Sequence, residues 1–253
     1  MKTITFVGNG NMALSIAKGL KEKYKIEVVG RDMQKLQTFE KNLGTNVEKF
    51  LLDGFNVADK TIILCIKPAN VEEVSSKLQG KARVIYSVLA GTSLKKLRTN
   101  FNPHAIVRTM PNLAASVQKS MTTLTGDIEF KDEAKEILGS IGTTRWLQSE
   151  KEIDIATALA GSGPAYLALI AEALADGAVK QGLKRDDAME IMRGLFDGFG
   201  TLIQGIHPAL LKDGVMSPGG TTAAGYGALE DKNVRSACID AIEMAYKKAV
   251  ELA

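Results

Sequence analysis

Histidine, cysteine and tryptophan are the scarce residues of this chain, at two, two and one in 253. His104 and His207 lie far apart, and neither stands in a cluster with cysteines, which excludes the usual tetrahedral metal site. Cys65 and Cys238 lie in separate apolar runs, outside any C-x-x-C pair. One bridge is the most they can form, so a disulfide framework is excluded. Both read as buried thiols of a reducing, cytoplasmic compartment. An excess of one charge is also missing. Thirty-two basic residues against 29 acidic ones leave a net +3, with no run of Lys and Arg that makes a patch. A nucleic-acid partner is not expected. Long hydrophobic runs are lacking as well, because the apolar stretch 165–179 is broken by Glu172 and Asp176. No membrane span is expected. The first β-rich run starts at residue 3, which leaves no room for a signal peptide.

What is present is the balance of a globular protein, 45% hydrophobic and 24% charged, long enough for two ordinary domains. Residues 1–149 alternate strand-like and helix-like segments. Runs rich in Val and Ile occur at 3–7, 26–30, 61–66, 83–88 and 104–108, with a further pair at 120–124 and 143–147. Amphipathic stretches such as 33–43 and 71–78 separate them. This alternation predicts a doubly wound α/β sheet, covered on both faces. Over 150–253 the strand signals fade and alanine rises. Leu167, Ile170, Ala171, Leu174 and Ala178 recur at helical spacing, as do Ala188, Ile191, Met192, Leu195, Phe199 and Leu202. An all-α second domain follows, with more apolar faces than a small bundle buries alone. A homo-oligomer, a dimer at least, is expected.

Two glycine-bearing segments carry the chemistry. Thr3–Val7 runs into Gly8-Asn9-Gly10-Asn11-Met12-Ala13 and then into a helix-like segment. This fits the G-x-G-x-x-G/A dinucleotide fingerprint, with alanine in the third place. Gly8 makes the tight turn, Gly10 lets backbone approach a pyrophosphate, and Ala13 lets the helix pack on the strand. The second strand ends Val29-Gly30-Arg31-Asp32. A carboxylate there grips the ribose of NAD, whereas arginine takes the extra phosphate of NADP. Arg31, with Lys35 beyond it, favours NADPH, and Asp32 leaves NADH open. Ile66-Lys67-Pro68, Ala90-Gly91 and Met110-Pro111-Asn112 follow strands and border the crevice where ligands lie. Lys67 reads as a border of the cofactor, with general acid as its second reading. The other segment is Ser217-Pro218-Gly219-Gly220-Thr221-Thr222, followed by a helix-capable run. Pro218 stops a preceding helix, the glycines open unusual backbone angles, and Thr221 or Thr222 can cap the helix that follows. Such a start is a receptor for a small carboxylate or phosphate, or else an ordinary capped loop.

Together with Arg108-Thr109-Met110-Pro111-Asn112 and Gly161-Ser162-Gly163-Pro164-Ala165-Tyr166, these segments resemble the pyrroline-5-carboxylate reductase family along nearly the whole chain. The resemblance implies a Rossmann domain (1–149) joined to an all-α substrate-binding and dimerisation domain (150–253). It also implies an interlocked dimer often built into larger rings such as a decamer. The implied reaction is NAD(P)H-dependent reduction of 1-pyrroline-5-carboxylate to L-proline, the last step of proline biosynthesis, with no metal. On the readings above, Gly8, Asn9, Gly10, Asn11, Met12, Ala13, Arg31, Ile66, Lys67, Pro68, Ala90 and Asn112 border the cofactor; the resemblance supplies the substrate residues. Ser217, Gly219, Gly220, Thr221 and Thr222 hold the substrate, and Thr222 is the catalytic residue beside the ring nitrogen. Leu113-Ala114 and Gly214 depart from the family pattern. Two other readings stand beside this one. A β-hydroxyacid dehydrogenase needs a lysine early in its helical domain, yet none occurs from Gly163 until Lys180. A non-catalytic NADPH sensor has no use for the 217–222 loop.

Overall fold

The computed structural model describes residues 1–251. Leu252 and Ala253, the end of the expected second domain, lie outside the described residues. The described chain divides into two compact units, Met1–Ser162 with residues 244–251, and Gly163–Glu243.

The first unit is built on eight strands: β1 (Thr3–Val7), β2 (Lys25–Gly30), β3 (Glu48–Leu51), β4 (Thr61–Leu64), β5 (Val84–Ser87), β6 (Ala105–Met110), β7 (Ser120–Gly126) and β8 (Gly142–Trp146). Their order is β3-β2-β1-β4-β5-β6-β7-β8. The pairs from β3 through β6 are parallel, β7 is antiparallel to β6, and β8 is parallel to β7. The reversal follows from chain length. The connection Pro111 to Lys119 is shorter than the dozen or so residues a parallel crossover needs. β3 has no counterpart among the segments expected from the sequence. It is a short edge strand, Glu-Lys-Phe-Leu, with both ends exposed, so it carries neither an apolar run nor a clean alternation.

Helices α1 (Asn11–Leu20), α2 (Met33–Leu43), α3 (Val71–Lys77), α4 (Leu94–Phe101), α5 (Lys131–Gly139) and α6 (Glu150–Ala156) cover the sheet. Two apolar cores result. One joins Phe6, Val28 and Ile63 to Ile16, Leu20, Leu36 and Phe39 of α1 and α2 and to Ile137 and Leu138 of α5. The other joins Val7, Leu64 and Ile85 to Val71, Val74 and Leu97 of α3 and α4. Burying a side chain of this size contributes about 1.5–3 kcal/mol each. The doubly wound arrangement predicted from Val/Ile-rich strands is therefore the observed one, with an antiparallel step near one edge.

A five-residue π turn, Thr157–Gly161, follows α6. Then come α7 (Gly163–Lys180), α8 (Arg185–Leu202), α9 (Pro208–Val215), α10 (Thr221–Asp231) and α11 (Val234–Glu251). In the second unit only Ala175 and Ala188 are buried among the described residues, on the packed pair α7 and α8. Leu167, Ile170 and Leu174 of α7, and Ile191, Leu195, Phe199 and Leu202 of α8, are exposed at helical spacing. Phe199 is thus not buried within the chain. Cys238 on α11 is likewise exposed, not the buried thiol expected from its apolar neighbours, because nothing among the described residues covers it. The helical path Glu150–Lys180 is long and apolar enough to cross a membrane by length and composition. Glu172 and Asp176 do not exclude it on that test, and its α7 part carries exposed apolar residues of the face just described.

Candidate functional site: a nucleotide cleft and an uncapped helix start

The first site lies where the strand order reverses, between β1 and β4. Gly8 follows β1 at φ +107°, and its N–H donates to Val29 O across 2.9 Å. A Cβ at Gly8 would stand 2.3 Å from Cys65 O, so the two strand ends approach in a way only glycine permits. Gly10 is the N-cap of α1 and supplies no side chain to cap it. Nothing lies within 4 Å of a Cβ built there, so its outer side is open. The first helical bond runs from Leu14 N to Gly10 O, at 3.0 Å. The N–H groups of Asn11, Met12 and Ala13 are therefore left for another acceptor. Ala13 is fully buried against the sheet, as the fingerprint requires.

A cleft of about 360 Å3 opens at this helix start. It gathers Gly8, Asn9, Gly10, Arg31, Lys35, Ile66 and Lys67 from the three segments that follow β1, β2 and β4. Cys65 also lines it, and burial pushes its thiol up, so it meets the cleft as a neutral group. Asp32 is committed elsewhere. Its carboxylate is the N-cap of α2 and accepts from Gln34 N (2.8 Å) and Lys35 N (3.3 Å). Arg31 and Lys35 bring positive charge to the β2 side of the cleft. The uncapped helix start, the glycine contact and the two cations fit a phosphorylated dinucleotide.

Pro68 opens a short 3-10 turn leading into α3. Ala90 and Asn112 follow β5 and β6 and do not line this cleft. The carbonyl of Ala90 accepts from Thr92 Oγ1. Asn112 joins three segments. Its amide donates to Ala160 O of the π turn (2.9 Å), its side-chain oxygen accepts from Ala114 N (3.0 Å), and its backbone N–H donates to Ser120 Oγ (3.0 Å).

The second site is the turn between α9 and α10. His207 is the N-cap of α9, accepting from Ala209 N through Nδ1. Beyond α9, Gly219 takes φ +70°, and the N–H of Gly220 donates to Ser217 O at 3.0 Å. A Cβ at Gly220 would fall 2.4 Å from Ser217 Oγ. Gly220 is the N-cap of α10, again without a side-chain cap, and the first helical bond runs from Ala224 N to Gly220 O. Neither Thr221 nor Thr222 caps the helix as expected, because both already sit inside its first turn. Their N–H groups and that of Ala223 remain for a ligand. Both threonines are exposed, and their hydroxyls have no partner among the described residues. The N–H of Gly220 is spent inside the turn, so the free donors begin at Thr221.

One buried ion-pair cluster was given no role by the sequence. Arg108, in the middle of β6, is 2% exposed. Its Nη1 donates to Glu150 Oε1 (2.9 Å) and its Nη2 to Asp154 Oδ1 (2.7 Å), tying α6 to the strand that ends in Met110. Glu150 also accepts from Leu94 N. The signal was an arginine inside the apolar run Ala-Ile-Val-Arg-Thr-Met, legible only as an anomaly.

Residues 150–252 match the family model described as pyrroline-5-carboxylate reductase dimerisation, and residues 3–91 match the one described as NADP oxidoreductase coenzyme F420-dependent. The chain is 39% identical over 208 residues to the pyrroline-5-carboxylate reductase of Synechocystis sp., covering 79% of this chain and 77% of that one. Two solved structures cover nearly the whole chain. The enzyme of Streptococcus pyogenes superposes with a TM-score of 0.86 at 32% identity, covering 98% of both chains. The enzyme of Coxiella burnetii gives 0.85 at 31%, covering 100% of this chain and 98% of that one. With both halves matched and relatives of this similarity along its length, the chain belongs to the pyrroline-5-carboxylate reductase family.

Proposed function

We propose that this chain reduces 1-pyrroline-5-carboxylate to L-proline, with NADPH as the preferred hydride donor and NADH as the second. The observation that carries the reading is the pair of uncapped helix starts, at α1 and α10, in a member of this family. Each offers unpaired N–H groups after a glycine, and each suits an anion of the reactants. A bound reduced nicotinamide supplies the hydride. The N–H groups of Asn11, Met12 and Ala13 would hold its pyrophosphate, and Arg31 and Lys35 would hold a phosphate on its adenosine ribose. Asn9, Ile66, Lys67 and Pro68 shape the walls. Ala90 and Asn112 would border its nicotinamide end.

At α10, the N–H groups of Thr221 and Thr222 hold the substrate carboxylate, and Gly219 and Gly220 give the turn its shape. Each charge–dipole contact of this type contributes roughly 0.3–1 kcal/mol. Thr222 is the catalytic residue, its free hydroxyl bonding the ring nitrogen. The protonated imine carbon is already electrophilic. On accepting a hydride it becomes the carbon of a secondary amine, and the nitrogen takes the electron pair of the former double bond. No metal or covalent nucleophile is needed, only orientation and exclusion of water.

The exposed faces of α7 and α8 are covered by a second copy, giving a homodimer that can build further into a ring of dimers. The match of 150–252 to a dimerisation model supports that cover over a lipid bilayer. The working domains are 1–149 and 150–253, and the two unbridged cysteines suit the cytoplasm. No nucleic acid is involved.

The test is to mix the protein with NADPH and the imine and follow nicotinamide absorbance. Oxidation of NADPH is expected. No turnover with the imine, but reduction of oxidised cofactor by a small hydroxyacid, would replace this reading with the dehydrogenase one. The lysine that chemistry needs occurs in α7 only at its last residue, Lys180. Thr222→Ala is expected to lower kcat while leaving NADPH affinity intact, and an unchanged kcat would remove Thr222 from the mechanism.

A further inference from the structure

The Arg31 guanidinium that faces the cleft is already engaged. Its Nη1 lies 3.3 Å from Glu73 Oε2 and 3.5 Å from Oε1. Glu73 belongs to α3, whose neighbouring Asn70 and Val74 line the same cleft. On its other side Glu73 has a second cation, with Lys77 Nζ 3.6 Å from its Oε1, and Lys77 in turn reaches Asp53 at 3.2 Å. The side chains of Arg31 and Glu73 are 58% and 43% exposed. A pair this open is held weakly and exchanges readily.

We propose that Glu73 sets how strongly the cleft distinguishes a 2′-phosphorylated nucleotide from its unphosphorylated counterpart, by competing with the phosphate for Arg31. The inference rests on the cofactor reading above and names the residue that tunes it. A phosphate recruits the Arg31 fork away from the carboxylate, since charge-assisted bidentate bonding favours it. Glu73 then keeps Lys77, so the exchange strands no charge. A nucleotide without that phosphate has no reason to displace the pair. Glu73 therefore lowers affinity for the phosphorylated nucleotide and leaves the other alone. Asp32 is not Arg31's partner: its Oδ1 caps α2, and the guanidinium turns to Glu73 instead.

The experiment is calorimetric titration of the full chain with adenosine 2′,5′-bisphosphate and with adenosine 5′-monophosphate at low ionic strength. Four proteins are compared: the wild type, Glu73→Gln, Arg31→Leu and the double variant. Glu73→Gln is expected to bind the bisphosphate about two- to fivefold more tightly, with the monophosphate unchanged. The gain should shrink as salt is added. In the Arg31→Leu background the gain should disappear. Equal bisphosphate affinity in wild type and Glu73→Gln overturns the proposal. So does the same gain with and without Arg31, which would make Glu73 a source of general negative field and no competitor. Binding of neither nucleotide by the wild type would bring down the cofactor reading itself and this inference with it. Unchanged discrimination in a protein that binds both removes only the role of Glu73.

Discussion

Arg108 is the most consequential buried charge in the first unit, and its removal gives a sharp test of how the strand ends are held. In Arg108→Met the two carboxylates that faced the guanidinium stay behind. They are not equally placed to recover. The side chain of Asp154 is 13% exposed and that of Glu150 35%. Glu150 also keeps the bond from Leu94 N at 2.7 Å, so it can rehydrate on one side and remain bonded on the other. Asp154 is the group left buried without its cation. Breaking such a pair from one side costs about 3–5 kcal/mol, and the partial exposure of Glu150 places this case near the lower end, about 3 kcal/mol. The triple variant Arg108→Met, Glu150→Gln, Asp154→Leu removes every charge of the cluster and should recover most of that loss. The assay is urea denaturation followed by tryptophan fluorescence. The chain has a single tryptophan, Trp146, which is 8% exposed on β8 of the same unit, so the signal reports this sheet alone. A loss under about 1 kcal/mol in the single variant, or a triple variant no more stable than the single, would refute the reasoning. The cluster would then have to be solvated, contrary to its burial.

Two further outcomes follow from the geometry. Gly8→Ala places a Cβ against Cys65 O at a φ of +107°; backbone strain alone costs about 1–3 kcal/mol. A lower Tm with weakened binding of adenosine 2′,5′-bisphosphate is expected, and wild-type values of both would show that the turn relaxes freely. Glu133 is subject to burial, which raises its pKa, yet the hydrogen bonds from Arg83 and Tyr86 outweigh that and hold its carboxyl below the usual range. A depressed carboxylate contributes stability that is present above its unfolded pKa and lost as pH falls through the folded one. Glu133→Gln should therefore destabilise by about 1 kcal/mol at neutral pH, after allowance for its partial exposure. The difference from wild type should close at acid pH, and a gap constant across the acid range would contradict the assignment.

Local chemistry made much of the protein readable before any coordinates. The Val- and Ile-rich strands, the turn Gly8–Ala13 and the helical spacing after 150 follow from rules that act within a dozen residues, and each element formed where those rules put it. The edge strand β3 did not show, because an exposed edge needs no apolar pattern to pair with β2. The antiparallel step at β7 was hidden as well, since it depends on which neighbour a short connection can reach.

At the sites the division is the same. The sequence marked both turns, and Gly8 and Gly219 take the positive φ that only glycine adopts easily, but that Gly220 and not a threonine caps α10 was decided by the structure. The fate of each charge was decided in three dimensions. Asp32 and Arg31 are adjacent in the chain, yet one caps α2 and the other reaches Glu73 on α3. Arg108 finds Glu150 and Asp154 across more than forty positions. Composition and periodicity record what a residue prefers, whereas its partner is chosen by which strands lie side by side. That choice belongs to the tertiary structure.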